Sequence, residues 1–284
     1  MRDGMPSGTS FLVSFARGLG VDDRVLDPMA PKLLPRWMAW LATMPTTLGP
    51  AAGAYRRSIR AATFGLVDHN VLRTEAIDVH LEHALRSGAR QLVILGAGMD
   101  ARAWRLDALQ DATVFEVDHP MTQQYKRDRL GGKTPPTDIR YVPVDFEKER
   151  FAEKLQRSGF QRTERSIWIW EGVTMYLPLP TVHETLHQLT LLATEGSHLA
   201  MTYRVPNRLP FGAVGRAAIP AVFAAAGEPL KSALEPSELA SALAADWEVS
   251  YDEDSRGWKA LTGSAAAPAL AFLSERLAVV QRLR

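Results

Sequence analysis

The sequence predicts an α/β fold built on an open, mostly parallel sheet, preceded by a helical segment. Three observations carry this reading. Between Gln91 and Trp170 short apolar runs alternate with helical stretches, as parallel strands joined by crossover helices do. The first run, Leu92 to Leu95, ends in Gly96, Ala97 and Gly98, where glycine allows a sharp turn and close backbone approach to a ligand. Carboxylates also stand just past three successive runs, at Asp118, Asp145 and Glu171, the edge of an open α/β sheet where ligands bind.

Residues 1–88 carry helical periodicity interrupted by Pro28, Pro31, Pro35, Pro45 and Pro50 and no strand alternation, which predicts a cap of several short helices. Within it, Trp37, Met38, Trp40, Leu41 and Met44 are expected to pack between cap and sheet, and Arg56, Arg57 and Arg60 to form one solvated helix face. Residues 68–85 predict a single amphipathic helix leading into the first strand. A helix is then expected near Asp100, strands over 113–117, 139–144 and 166–170, and helices over 121–130, 147–157 and 180–193. A strand over 197–203 follows, then a Pro-, Gly- and Ala-rich segment, 204–235, that reads as a lid insertion beside the strand ends. A helix over 236–245, a strand over 247–251, a weakly structured stretch and a final strand within 275–282 complete the chain. The domain reading is a cap over 1–88 and an α/β unit over 89–284.

Composition limits the function. The 284 residues are 46% hydrophobic, enough for one large core. With 33 Lys plus Arg against 32 Asp plus Glu, the net charge of +1 gives no general attraction for nucleic acid. There is no cysteine, which removes disulfide and thiolate chemistry. Neither the start nor the apolar stretch 211–226, broken by Arg216 and Pro220, reaches the length of a signal core or a membrane span. A cytoplasmic protein with a small-molecule partner, away from nucleic acid and membrane, is the expectation.

The glycine turn lacks the third glycine of an oxidoreductase fingerprint, and Asp100 stands in its place. A carboxylate there would repel a pyrophosphate and suit a ligand bearing an ammonium group, such as the methionine end of S-adenosylmethionine. Asp118, twenty residues after Gly98, is placed to accept from ribose hydroxyls, and Asp145 can accept from the adenine amine. A competing signal is His183-Glu-Thr-Leu-His187, an H-E-x-x-H pattern that on a helix would present two imidazoles to zinc with Glu184 as base. No third ligand stands out, and a helix following the fourth strand should pack on the sheet, so no metal is expected.

In this order and spacing, RTEAIDVHLEHAL, LVILGAGMDARAWRL, FEVDHP, VPVDFE and WEGVTMYL resemble the leucine carboxyl methyltransferase family, including its bacterial natural-product branch. The resemblance spans about residues 68–203. It implies a class I methyltransferase fold, Rossmann-like and mostly parallel with an antiparallel C-terminal strand, with S-adenosyl-L-methionine as donor and S-adenosyl-L-homocysteine as product. By position it implies that Arg73 holds the methionine carboxylate, Gly96 and Gly98 form the cofactor turn, Asp118 takes the ribose, Asp145 with Phe146 the adenine, and Glu171 the ammonium side.

Methyl transfer is an in-line displacement, so the protein chiefly aligns acceptor and methyl group and excludes water. A carboxylate acceptor is already ionised and needs placement, for which Arg204 is a candidate; a phenol needs a base or a polarising partner. Tyr176, Tyr203 and His119 lie near the predicted strand ends. The reading is O-methylation of a carboxyl or hydroxyl on a small or natural-product acceptor. C- or N-methylation, an NAD-dependent enzyme, a zinc hydrolase and a silent binding protein are the alternatives.

Overall fold

The computed structural model describes residues 6–21, 26–206, 221, 224, 227–243 and 245–283. Seven strands form one sheet: β1 (Gln91–Leu95), β2 (Thr113–Asp118), β3 (Asp138–Pro143), β4 (Ser166–Trp170), β5 (His198–Arg204), β6 (Trp247–Glu253) and β7 (Glu275–Arg282). Their order is β3-β2-β1-β4-β5-β7-β6. The first five pair in parallel, whereas β7 runs antiparallel to both β5 and β6.

The central strands read as unbroken apolar runs because both of their faces are covered. Leu92, Ile94, Ile167 and Ile169 face a core shared with the N-terminal helices, while Val93, Leu95, Trp168 and Trp170 face the other. On the first face lie α1 (Gly8–Leu19), α2 (Ala30–Leu33), α3 (Arg36–Thr43), α4 (Ala52–Ala62) and the 21-residue α5 (Leu66–Arg86). The short α6 (Arg102–Arg105) and α7 (Pro120–Leu130) follow the first two strands. On the second face α8 (Phe151–Arg157), α9 (Leu179–Leu192) and α10 (Pro236–Leu243) cover the sheet, and α11 (Ser255–Thr262) precedes β7.

Several sequence expectations are corrected. The helix near Asp100 is only the four residues of α6, because the Asp100 side chain takes the Arg102 N-H at 2.8 Å and Leu106 turns to extended geometry. The helix expected from 147 starts at Phe151, since the side chains of Asp145 and Glu149 capture the N-H groups of Glu147 and Asp145 and hold a turn there. The stretch read as weakly structured contains α11, capped by Asp254, which accepts from Arg256 N at 2.9 Å. Trp37 and Trp40 are 65% and 61% exposed: α3 is one short helix whose inward stripe is Met38 and Ala42. Arg56 and Arg60 are not part of a solvated face, for Arg56 donates to Leu19 O and Arg60 pairs with Asp68. Most of the lid expected at 204–235 lies outside the described residues. Its last part is tied down, with Lys231 and Ser232 donating to Met175 O and Leu234 to Arg204 O.

Candidate active site

The glycine turn leaves β1 with Gly96 at φ 69° and Gly98 at φ 49°, conformations in which a side chain is strained. A Cβ on Gly96 would lie 2.5 Å from Val173, and one on Gly98 would lie 3.2 Å from Ser10, so the first turn of α1 roofs the loop. Asp118, at the end of β2, accepts from Gly98 N and, at 2.6 Å, from His119 N. Burial pushes its carboxyl up against the pull of those two N-H groups. Beneath the turn Lys126 of α7 donates to Asp100 O and, at 2.6 Å, to Glu116, so a fully buried pair pins the loop from below.

Glu171, just past β4, is the centre of an ionic cluster. Arg17 Nη2 donates to both of its oxygens at 2.8 and 2.9 Å, Arg73 Nε reaches Oε1 at 3.0 Å, and Arg102 Nη1 reaches Oε2 at 2.8 Å. Burial alone would raise this carboxyl, but Arg17, Arg102 and Arg73 together hold it well below the usual carboxylate range. Arg102, fully buried, also pairs with Asp100 and with Asp78. Asp100 is therefore neutralised inside the protein, and its charge does not discriminate between cationic and anionic ligands. Both oxygens of Glu171 are likewise committed to guanidinium groups in this conformation. Arg73 Nη1 meets Glu275 on β7 at 2.9 Å, and Arg17 Nε donates to Thr74.

The structure brings Arg73, Gly96, Gly98, Asp118 and Glu171 together at the carboxyl edge. Asp145 lies past β3, half-buried, pairing with Lys148 at 3.0 Å, and Phe146 beside it meets Phe151 at a tilt of 58° with ring centroids 6.2 Å apart. Tyr176 bonds to Thr9 of α1, its phenol pushed up by burial, Glu228 and Glu275. Tyr203 is buried in the opposite core and donates to Asp252 at 2.8 Å, so its hydroxyl is engaged at the β6 side. Arg204, ending β5, donates from Nη2 to Ser232 O at 3.4 Å; its Nε is buried without a partner, and burial lowers its proton affinity. His119 caps α7 by accepting from Met121 N at 3.3 Å. His183 and His187 are on the solvent side of α9, and Glu184 pairs with Arg150. Among the described residues no group of three or more His, Cys, Asp or Glu is placed to hold a metal.

Sequence reasoning missed Arg17, Arg102, Glu275 and His69. The available signal was weak: Arg17 is a lone charge in the apolar run of α1, which packs against α5.

A seven-stranded sheet of this order, with a glycine turn and a carboxylate on the next strand, defines a Rossmann-like methyltransferase fold. The chain belongs to the leucine carboxyl methyltransferase family, whose model matches residues 15–190. Over 137 residues it is 37% identical to a Mycobacterium avium (strain 104) protein named as an S-adenosyl-L-methionine-dependent methyltransferase, covering 48% of this chain and 44% of that protein. A protein of the same name from Mycobacterium sp. (strain JLS) is 36% identical over 207 residues, 68% of this chain and 65% of its own length. The matches thus span only 44% to 65% of these two relatives. In fold, the chain is similar to a crystal structure described as a methyltransferase from Thermobifida fusca YX, with a TM-score of 0.64 at 17% identity over 100% of this chain and 97% of that one. Among the described residues no helix is long and apolar enough to cross a membrane.

Proposed function

We propose that this chain is an S-adenosylmethionine-dependent O-methyltransferase acting on a carboxylate of a small acceptor, with natural-product acids as the substrate class. The donor half of the reading is supported by the family, by the names of the relatives and by the fit of the carboxyl edge. Two glycines at positive φ give the sharp turn that brings backbone N-H groups to the strand end, Asp118 can take ribose hydroxyls, and the Nη2 of Arg73, which makes no hydrogen bond among the described residues, can meet a carboxylate. Asp145 and Phe146 would border the adenine. When bound, the cofactor supplies an electrophilic methyl group on a sulfonium.

The acceptor half is carried by Arg204. It is a half-buried guanidinium at a strand end that makes no ion pair among the described residues, and burying such a charge without a partner costs free energy. An acceptor carboxylate would relieve that cost. Its oxygen is already ionised at neutral pH, so no base has to remove a proton and placement is the main task. Tyr176, at the same edge and held by Thr9 of α1, can border the acceptor and limit its orientation.

The test is calorimetry followed by turnover. S-adenosylhomocysteine should bind and NAD should not; a panel of carboxylic acids should be methylated in preference to matched alcohols. Arg204→Gln should raise KM for acids about tenfold or more while leaving cofactor affinity within about twofold. Binding of NAD instead of S-adenosylhomocysteine, or equal methylation of acids by Arg204→Gln, would overturn the reading.

A further inference from the structure

Glu275 opens β7 and stands opposite Arg204 in the β5–β7 register. Its carboxylate takes Arg73 Nη1 on both oxygens, at 2.9 and 3.1 Å. From one helical turn before Arg73, His69 Nε2 reaches Glu275 Oε2 at 2.6 Å. The His69 ring is held by Trp258 and Phe272, with centroids 5.2 and 5.0 Å away, and its Nδ1 is buried without a partner. A carboxylate oxygen only accepts, so Nε2 carries the proton between them.

On its other edge Arg73 gives Nε to Glu171 at 3.0 Å. Two carboxylates on two different strand ends therefore grip two nitrogens of one guanidinium and fix its plane. The third nitrogen, Nη2, makes no hydrogen bond among the described residues and lies at Gly172, 3.3 Å from where a Cβ would stand. Without Glu275 the guanidinium would keep only its Nε bond to Glu171, about which its plane could turn. Nη2 would then lose its fixed direction.

We infer that Glu275, steadied by His69, is a positioning residue for the cofactor: it holds Arg73 Nη1 and so keeps Nη2 aimed at the cofactor's methionine carboxylate. The inference rests on the function proposed above and adds to it a residue from β7, outside the 15–190 span matched by the family model.

Two probes separate positioning from bulk stability. S-adenosylhomocysteine carries the amino-acid carboxylate, whereas 5′-methylthioadenosine shares the nucleoside and sulfur and lacks it. Glu275→Gln keeps the side-chain volume and gives up the charge; calorimetry should show about tenfold weaker binding of the first probe and less than about twofold change for the second. Equal loss on both probes, or no loss on either, overturns the inference. Failure of the wild-type chain to bind either probe would instead overturn the proposed function. Should Glu275→Gln not fold, His69→Gln serves, with a selective loss of about threefold on S-adenosylhomocysteine expected and an equal effect on both probes counting against the role.

Discussion

Arg17 and Glu171, 154 positions apart, are joined by two hydrogen bonds from one guanidinium nitrogen, 2.8 and 2.9 Å long. The pair ties the first helix to the end of the fourth strand, with 4% and 6% of the two side chains exposed. Breaking a buried pair leaves an uncompensated charge, here softened by Arg73 and Arg102. Arg17→Met should therefore destabilise the unliganded protein by about 3 kcal/mol in urea titration. A cost below about 1 kcal/mol would mean that the remaining arginines satisfy Glu171 alone.

Gly96→Ala has two separable costs. The left-handed backbone at φ 69° costs about 1 kcal/mol for a side chain, and the 2.5 Å approach to Val173 adds overpacking of about 1 to 3 kcal/mol. In Gly96→Ala with Val173→Ala the second cost should fall away while the first stays. A double-mutant cycle on thermal midpoints checks this, and strict additivity would rule the contact out.

Asp118→Asn keeps one acceptor for the N-H groups of Gly98 and His119 but loses the charge. S-adenosylhomocysteine affinity should fall by about 1 to 3 kcal/mol in calorimetry. Unchanged affinity in the folded variant would remove the ribose from this carboxylate.

His80 gives the pH dependence a definite sign. Its Nε2 is buried without a partner, its ring lies 4.8 Å from that of Tyr251, and burial, with His83 and His198 nearby, pulls its pKa from 6.5 to about 4. His198 is lowered too, by burial, His83 and Arg165. The unfolded chain takes up the proton near pH 6.5 and the folded one only near pH 4, so stability is full above that window and declines through it as the pH falls. The loss should be on the order of 2 kcal/mol for this partly open group. His80→Leu should flatten the decline in urea titrations across the window; an unchanged slope would assign it to other groups.

The strands were legible because a buried parallel strand is an apolar run with few alternatives: 166–170 matches β4 residue for residue, and Asp118 follows from the end of β2. The glycine turn after β1 was legible for the same local reason, since glycine's freedom is written in the residue. The partners of the charges were not. Asp100 looked like a ligand-facing carboxylate until Arg102 and Arg17 were found beside it, and Glu171 looked free until three guanidinium groups converged on it. Such pairings depend on which helix lies over which strand, and no short-range pattern encodes them. Trp37 and Trp40 were misplaced for a related reason, because eight residues of α3 define a periodic stripe poorly.

The position of β7 between β5 and β6 sets an order of events during synthesis. Until residues 275–282 have left the ribosome, β5 lacks its β7 neighbour along the edge carrying Leu199, Met201 and Tyr203, and β6 has no strand to pair with among the described residues. An unpaired strand edge is a template for pairing with other chains, and β7 both covers that edge and brings Glu275 to Arg73. Cover for the β5 edge and a partner for Arg73 thus come from the same strand.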